Sequence, residues 1–306
     1  MKILLAQPRG FCAGVNRAIA IVNQALELHG PPVYVLHEIV HNTHVIEELQ
    51  GRGAIFVEEL EDIPRGAVTI FSAHGVALAV KERARALGLR TIDATCPLVS
   101  KVHHRVSRLN ERGYEVLVIG HKGHPEVEGT CGHARGRVHV LSRAEEVAAL
   151  AVADPEKIGY VTQTTLSVDD TRDILQAVRL RFPRISAPER TDICYATTNR
   201  QLAVRRLADR VELVLVVGSK NSSNSNRLRE VAAHQGRAAF LIDQADEIDP
   251  GWLEGVRCVG ITAGASAPEH LVSEVVSWFA ARGEISVEEM AGEEESISFQ
   301  LPDLRV

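Results

Sequence analysis

Apolar residues fall along this chain in two alternating rhythms. After Cys12 they stand at Val15, Ala18, Ile19, Val22, Ala25 and Leu26, the three-and-four spacing that lines one face of a helix. After Cys96 they stand at Leu98, Val102, Val106 and Leu109, with Pro97 where a first helical turn tolerates it. Leu202, Leu207 and Val211 repeat the stripe more weakly after Cys194. Each helix leads into a short continuous apolar run of the kind a buried strand shows: VYVL from Val33, EVLVI from Glu115 and LVLVV from Leu213. A second run follows each (AIFV, VHVL, AAFLI), then a third that ends in SAHG, VTQTT or ITAGAS. Strands alternating with helices predict an α/β protein with parallel sheets and right-handed crossovers.

The same landmarks recur at nearly constant distances from three cysteines. His41 stands 29 residues after Cys12, His124 stands 28 after Cys96, and Ser222 stands 28 after Cys194. The second strand ends 45, 45 and 48 residues on, at Val57, Leu141 and Ile242; His74, Thr164 and Ser266 follow at 62, 68 and 72. Three units in register predict three α/β domains about a pseudo-threefold axis, each a small parallel sheet flanked by helices. Their expected bounds are residues 14–96, 97–193 and 194–282, with a strand in 1–13 joining the core and an acidic tail, 283–306, packed over a domain edge. In parallel α/β folds ligand groups gather beyond the carboxyl ends of the strands. Each unit places one cysteine and two strand-end polar residues there.

Composition narrows the chemistry. The chain has 306 residues, 45% of them hydrophobic, enough for the cores of two or three domains, and a net charge of −6 gives no sign of a nucleic-acid partner. MKILLAQPRGF has too few apolar residues for a secretory signal, and VELVLVVG is far shorter than the roughly 18 residues of a membrane span, so a cytoplasmic protein without a membrane partner is expected. Five cysteines without a CxxC pair fit neither a disulfide framework nor a zinc ribbon. Three of them equivalent in a threefold repeat are expected to meet on its axis, where three thiolates suit an iron–sulfur cluster with one iron lacking a protein ligand. Each precedes a helix, whose N-terminal dipole favours thiolate over thiol. Cys131 and Cys258 have no counterparts in the repeat and read as packing residues.

The remaining strand-end residues read as an anion site with a proton donor. GSKNSSNSNRL follows a strand and opens a helix, so backbone N–H groups with Ser222, Ser223 and Asn224 can surround an anion, although the same text also suits a plain polar loop. Ser266 heads SAPE, which matches a capping box. Of 13 histidines, His41, His74 and His124 hold equivalent strand ends and can donate to phosphate oxygens, whereas His103, His104, His139 and His234 read as ordinary surface or core groups. Glu126, two residues past His124, is the one carboxylate of the set, with a first-turn acidic residue as its plain alternative.

The segments RGFCAGVNRAI, VHNTHVIEEL, FSAHGV, DATCPLVSKVH, GHKGHPEVEGT, VTQTTLSVDDT, ICYATTNRQ, VVGSKNSSNSNRL and ITAGASAPEHL closely resemble the 4-hydroxy-3-methylbut-2-enyl diphosphate reductases, over essentially the whole chain. The resemblance implies that Cys12, Cys96 and Cys194 ligate one [4Fe–4S] cluster whose fourth iron binds the substrate hydroxyl. It implies that His41, His74, His124, Ser222, Ser223, Asn224 and Ser266 line a diphosphate pocket, with Thr164 and Glu126 near the reacting carbons. It further implies reductive dehydroxylation of an allylic diphosphate to isopentenyl and dimethylallyl diphosphate, with electrons from an external ferredoxin or flavodoxin. A monomer is expected. Two rivals remain: a redox-neutral dehydratase or synthase resembling quinolinate synthase, and a non-catalytic iron–sulfur sensor of diphosphates. The first would call for arginine clamps on a dicarboxylate, where these strand ends offer His, Ser and Asn. Glu126 beside the pocket weighs against the second.

Overall fold

Continuous apolar runs become strands because parallel sheets are buried on both faces. In a computed structural model that describes residues 1–306, β1 (Lys2–Leu5) and α1 (Ala13–His29) lead into β2 (Val33–Leu36), α2 (Thr43–Gly51), β3 (Ala54–Val57), β4 (Val68–Phe71), α3 (Leu78–Ala86) and β5 (Arg90–Asp93). Next come α4 (Pro97–Glu111), β6 (Glu115–Ile119), α5 (Pro125–Cys131), β7 (Val138–Leu141), β8 (Ile158–Thr162) and α6 (Val168–Arg181). The chain closes with α7 (Tyr195–Ala208), β9 (Leu213–Val217), α8 (Ser223–His234), β10 (Ala238–Ile242), β11 (Cys258–Ala263), α9 (Glu269–Ala280) and β12 (Ser286–Glu289).

The chain divides into two compact units. Met1–Val15, His41–Glu47 and Tyr195–Ser298 form the first, which holds a five-stranded sheet in the order β10-β9-β11-β1-β12. Asn16–Val40, Glu48–Cys194 and Phe299–Val306 form the second, which holds the sheets β3-β2-β4-β5 and β7-β6-β8. Every strand pair is parallel. The α/β class with three small parallel sheets read from the sequence is therefore the observed one. The three sheets share one wiring: the first strand of each repeat is central, the second lies on one side of it and the third on the other. That reversal opens a crevice at the carboxyl ends of the first and third strands, where ligand groups collect in such sheets.

Side chains in β9 show how the two-residue period builds a double-sided core. Leu213, Leu215 and Val217 join a cluster with Val272, Val275 and Phe279 of α9. Val214 and Val216 pack on the other face with Val204 and Leu207 of α7 and Leu228 of α8. In β6, Leu117 and Ile119 face one core while Val116 and Val118 face another.

Two segments differ from their sequence patterns. Leu202 is exposed and Val211 lies past the end of α7; Leu207 is buried as the pattern expects, but its buried companions on that helix include Arg200, Ala203 and Val204. Arg200 is itself wholly buried, which a hydrophobic count cannot anticipate. The acidic C-terminal segment supplies β12, which pairs with β1 from Lys2↔Ser286 to Leu5↔Glu289. Its carboxylates meet fixed cations: Glu288 lies 2.7 Å from both Lys2 and Arg210, and Glu289 lies 2.8 Å from Arg9.

Candidate functional site

Each candidate cysteine is tied by its own amide to the loop that follows the third strand of a sheet. Cys96 N donates to Ala73 O at 3.0 Å beyond β4, Cys194 N to Thr164 O at 3.1 Å beyond β8, and Cys12 N to Ala265 O at 3.2 Å beyond β11. The repeat read from spacing thus has a hydrogen-bonded equivalent, and each sheet carries one cysteine at the carboxyl end of its strands. Cys96 is the N-cap of α4; Cys12 and Cys194 directly precede α1 and α7. None of the three is in a disulfide, and all are half-buried. No three His, Cys, Asp or Glu side chains are grouped to hold a single metal ion. A single ion draws its ligands to within about 2.0–2.3 Å of one centre, whereas an iron–sulfur cluster spreads its thiolates over several irons.

Six of the other nine candidates fall at matching places past the strands. His41, His124 and Ser222 each lie five residues beyond the last residue of β2, β6 and β9. His74, Thr164 and Ser266 lie two or three residues beyond β4, β8 and β11. Those two sets flank the crevice of each sheet.

In the second unit the side chains form a connected group. Thr164 N donates to Glu126 Oε1 at 2.6 Å and Thr164 Oγ1 donates to Oε2 at 3.0 Å, so one residue grips both carboxyl oxygens while its carbonyl receives Cys194 N. Glu126 is buried, and that burial drives its pKa up to about 7 despite the two bonds from Thr164. Glu126 is indeed in the first turn of α5, as its plain reading had it, but a solvated turn does not bury its carboxyl. His124 caps α5: its Nδ1 accepts from Glu126 N at 3.1 Å, which places the proton of the neutral ring on Nε2. The His74 and His124 rings meet edge to face at 5.9 Å between centroids.

In the first unit the anion loop is built around buried polar groups. Ser222 caps α8 by accepting from Ser225 N, and Ser223 is the first residue of that helix. Asn224 is buried, and neither its Oδ1 nor its Nδ2 has a hydrogen-bond partner. Leaving both ends of a buried amide unpaired costs free energy that a ligand would recover. Close approach here requires glycine, since a Cβ on Gly264 would stand 2.0 Å from Ser225 Oγ. Ser266 forms no capping box. The N-cap of α9 is Pro268, and Ser266 Oγ donates instead to His41 O at 2.9 Å, bringing those two candidates together.

Sequence reasoning missed Asn42 and Arg200, while His103, read as an ordinary surface or core group, is in the core. Asn42 is wholly buried; its Oδ1 accepts from Val45 N at 3.1 Å, and its Nδ2 has no partner. His103 is buried with Nε2 unpartnered, stacked on His133 at 4.0 Å, and burial pushes its pKa down to about 3. Arg200 binds Gly10 O at 3.0 and 2.7 Å and Phe11 O at 3.3 Å, gripping the two residues before Cys12. Its carboxylate partner is Glu295, at 3.0–3.2 Å, which also accepts from Asn199. An arginine at a helical spacing from Ala196, Ala203, Val204 and Leu207 was the one available signal. Removing one member of a buried ion pair costs about 3–5 kcal/mol because the other charge is stranded. Glu295→Ala is therefore expected to lower the unfolding midpoint sharply, and an Arg200→Met, Glu295→Met pair to recover part of the loss. An unchanged midpoint in Glu295→Ala would show the pair to be energetically idle.

Comparison with known proteins places the chain in a family. The family model for the LytB protein matches residues 3–280. The 4-hydroxy-3-methylbut-2-enyl diphosphate reductase of Bordetella pertussis is 60% identical over 98% of this chain and 93% of its own length. The enzyme of the same name from Chromobacterium violaceum is 56% identical over 98% and 96%. The solved structure of the E-1-hydroxy-2-methyl-but-2-enyl-4-diphosphate reductase from Plasmodium falciparum superposes with a TM-score of 0.93 at 38% identity, covering 99% of this chain and 95% of that one. No helix of this chain is long and apolar enough to cross a membrane. The chain belongs to the LytB protein family, whose named relatives are 4-hydroxy-3-methylbut-2-enyl diphosphate reductases, and it is an enzyme of the oxidoreductase class.

Proposed function

We propose that this enzyme reduces 4-hydroxy-3-methylbut-2-enyl diphosphate to a mixture of isopentenyl and dimethylallyl diphosphate. The C–O bond of the allylic alcohol breaks, a C–H bond forms, and two electrons and two protons are consumed as the hydroxyl leaves as water. The observation that carries this reading is the linked trio Glu126, Thr164 and Cys194: a buried carboxyl with its pKa near 7 is held by the residue that also fixes a cysteine loop.

Cys12, Cys96 and Cys194 would hold a [4Fe–4S] cluster. The donor set fits that group: three thiols outside any disulfide, each at a helix start whose dipole favours thiolate, with no fourth cysteine equivalent in the repeat. When bound, the cluster supplies electrons one at a time and a Lewis-acidic iron open to the substrate hydroxyl. Electrons would come from an external ferredoxin or flavodoxin.

The chain's own residues bind, orient and protonate. Asn224, Ser222 and Ser223 at the start of α8, with Ser266 and His41, would surround the diphosphate oxygens. His74 and His124 add imidazole donors. Glu126 in its acid form releases the proton that the departing hydroxyl requires, and Thr164 keeps that carboxyl in one orientation. Hydrogen bonds to charged groups contribute roughly 1.5–3 kcal/mol each, so Asn224→Ala is expected to weaken substrate binding by at least about tenfold. Calorimetry showing an unchanged binding constant would return GSKNSSNSNRL to the role of a plain polar loop.

The test of the reaction is anaerobic turnover with reduced methyl viologen. Bleaching with the allylic diphosphate, and none with the corresponding alcohol lacking diphosphate, is the expected result. No bleaching with either, in protein carrying its full iron and sulfide, would overturn the assignment.

A further inference from the structure

The net charge of −6 conceals a basic face on one helix. Lys101, His104, Arg108 and Arg112 are exposed along α4 and its C-cap at spacings of three and four, with the partly buried Arg105 beside them. They line a groove of about 870 Å³ whose other charges include Arg17 and Arg190. Six Lys and Arg side chains thus face three carboxylates, Asp93, Glu189 and Asp192. Asp93 is already matched by Lys81 at 2.6 Å, and Asp192 accepts from Thr162 N at 3.1 Å. Lys101, Arg108 and Arg112 have no carboxylate at ion-pair distance. The helix dipole accounts for cations near the end of α4, but not for Lys101 and Arg105 in its earlier turns.

The position of this groove is as informative as its charge. Thr95 and Pro97, the neighbours of Cys96, both line it. Arg17 reaches in to donate to Ala94 O at 3.2 Å and Thr95 O at 3.1 Å, fixing the segment that leads to that cysteine. A partner seated here would lie against the peptide of a proposed cluster ligand, and electron tunnelling falls off steeply with distance. Apart from His104 the groove has no aromatic ring of the kind that stacks nucleic-acid bases. Its unpaired cations, interrupted by carboxylates, suit a folded acidic surface better than a continuous row of phosphates.

We propose that the α4 groove is the docking surface for a small acidic one-electron carrier protein. This rests on the reductase reading above. Each turnover takes two electrons, so two reduced carriers are each oxidised by one electron while one C–O bond is cleaved, one C–H bond forms and two protons are consumed. Encounters of this kind use small interfaces and depend on charge for steering, so their rates fall with ionic strength.

The experiment compares two reductants on the cluster-loaded enzyme: reduced acidic flavodoxin and reduced methyl viologen. An Arg108→Glu, Arg112→Glu variant is expected to lose at least about tenfold in kcat/KM for flavodoxin at low salt, and most of its salt dependence, with viologen-driven turnover and iron content unchanged. Lys101→Gln with Arg108→Gln should lose less, in the same direction. Arg282→Glu, remote in sequence on α9's C-terminal side, should change neither rate. Undiminished flavodoxin turnover in both α4 variants would overturn the proposal. So would parallel loss of both activities in the milder variant, since α4 would then be serving the fold. Tight binding of duplex nucleic acid by the groove, with flavodoxin turnover untouched by the substitutions, would assign it to another partner. A parent enzyme with full iron content but no viologen-driven turnover would defeat the reductase reading itself, a separate failure.

Discussion

Serine at Cys12, Cys96 or Cys194 is expected to yield protein that folds but holds almost no iron or sulfide after anaerobic reconstitution. Each of these cysteines precedes a helix, and each amide is bonded to a strand-end loop of a different sheet. With only three thiolates for the group, loss of one leaves two, and a serine hydroxyl does not ionise to replace it near neutral pH. Cys131 and Cys258 are internal controls. Burial pushes the Cys131 thiol up to about 11 and raises that of Cys258, so neither favours the thiolate a metal needs. Both pack beside hydrophobic clusters. Cys131→Ser and Cys258→Ser should therefore keep full iron content, and near-normal iron in Cys96→Ser would end the three-ligand proposal.

How much of this could be read in advance follows from where each signal is written. Strands such as LVLVV and EVLVI were legible because burial on both faces of a parallel sheet demands an unbroken apolar run. The strand-end residues were legible because equal wiring keeps equal distances, and the three cysteine amides express the same equivalence in hydrogen bonds. β12 was not legible as a strand. Its text, SVEE, lacks an apolar face, and it is held at the sheet edge by backbone pairing and by Lys2, Arg9 and Arg210 on its glutamates. Arg200 was invisible for a related reason, since its partners Gly10, Phe11 and Glu295 come from distant parts of the sequence. The SAPE text matched a capping box, but the chain spends Ser266 on the carbonyl of His41. Polarity at a position can be read from sequence; the partner that satisfies it usually cannot.

Glu126→Gln is expected to leave cluster content and substrate binding nearly intact while turnover falls by a factor on the order of 10² or more. Glutamine keeps the shape of the side chain and its carbonyl can still accept from Thr164, but it has no proton to release. The pH dependence supplies a second reading. With its pKa near 7, the carboxyl is largely in its acid form at pH 6 and largely ionised at pH 8, so turnover limited by this proton should decline as pH rises through neutrality. Glu126→Gln should lack that decline. Stability has the same sign. A carboxyl whose folded pKa is raised binds its proton more tightly in the folded state, so its contribution is most favourable below about 4.5 and is lost progressively as pH rises towards 7. Above 7 the buried carboxylate costs roughly 3 kcal/mol relative to its acid form, a cost that glutamine avoids. The substrate-free variant should therefore gain in unfolding midpoint over the parent at pH 8 and lose that advantage at pH 5. Loss of activity with no pH-dependent gap in stability would mean that Glu126 is solvated and not the buried acid described here. Near-normal turnover in Glu126→Gln would remove it from the reaction and leave His124, bonded through Nδ1 to the amide of Glu126, as the side chain positioned to supply the proton.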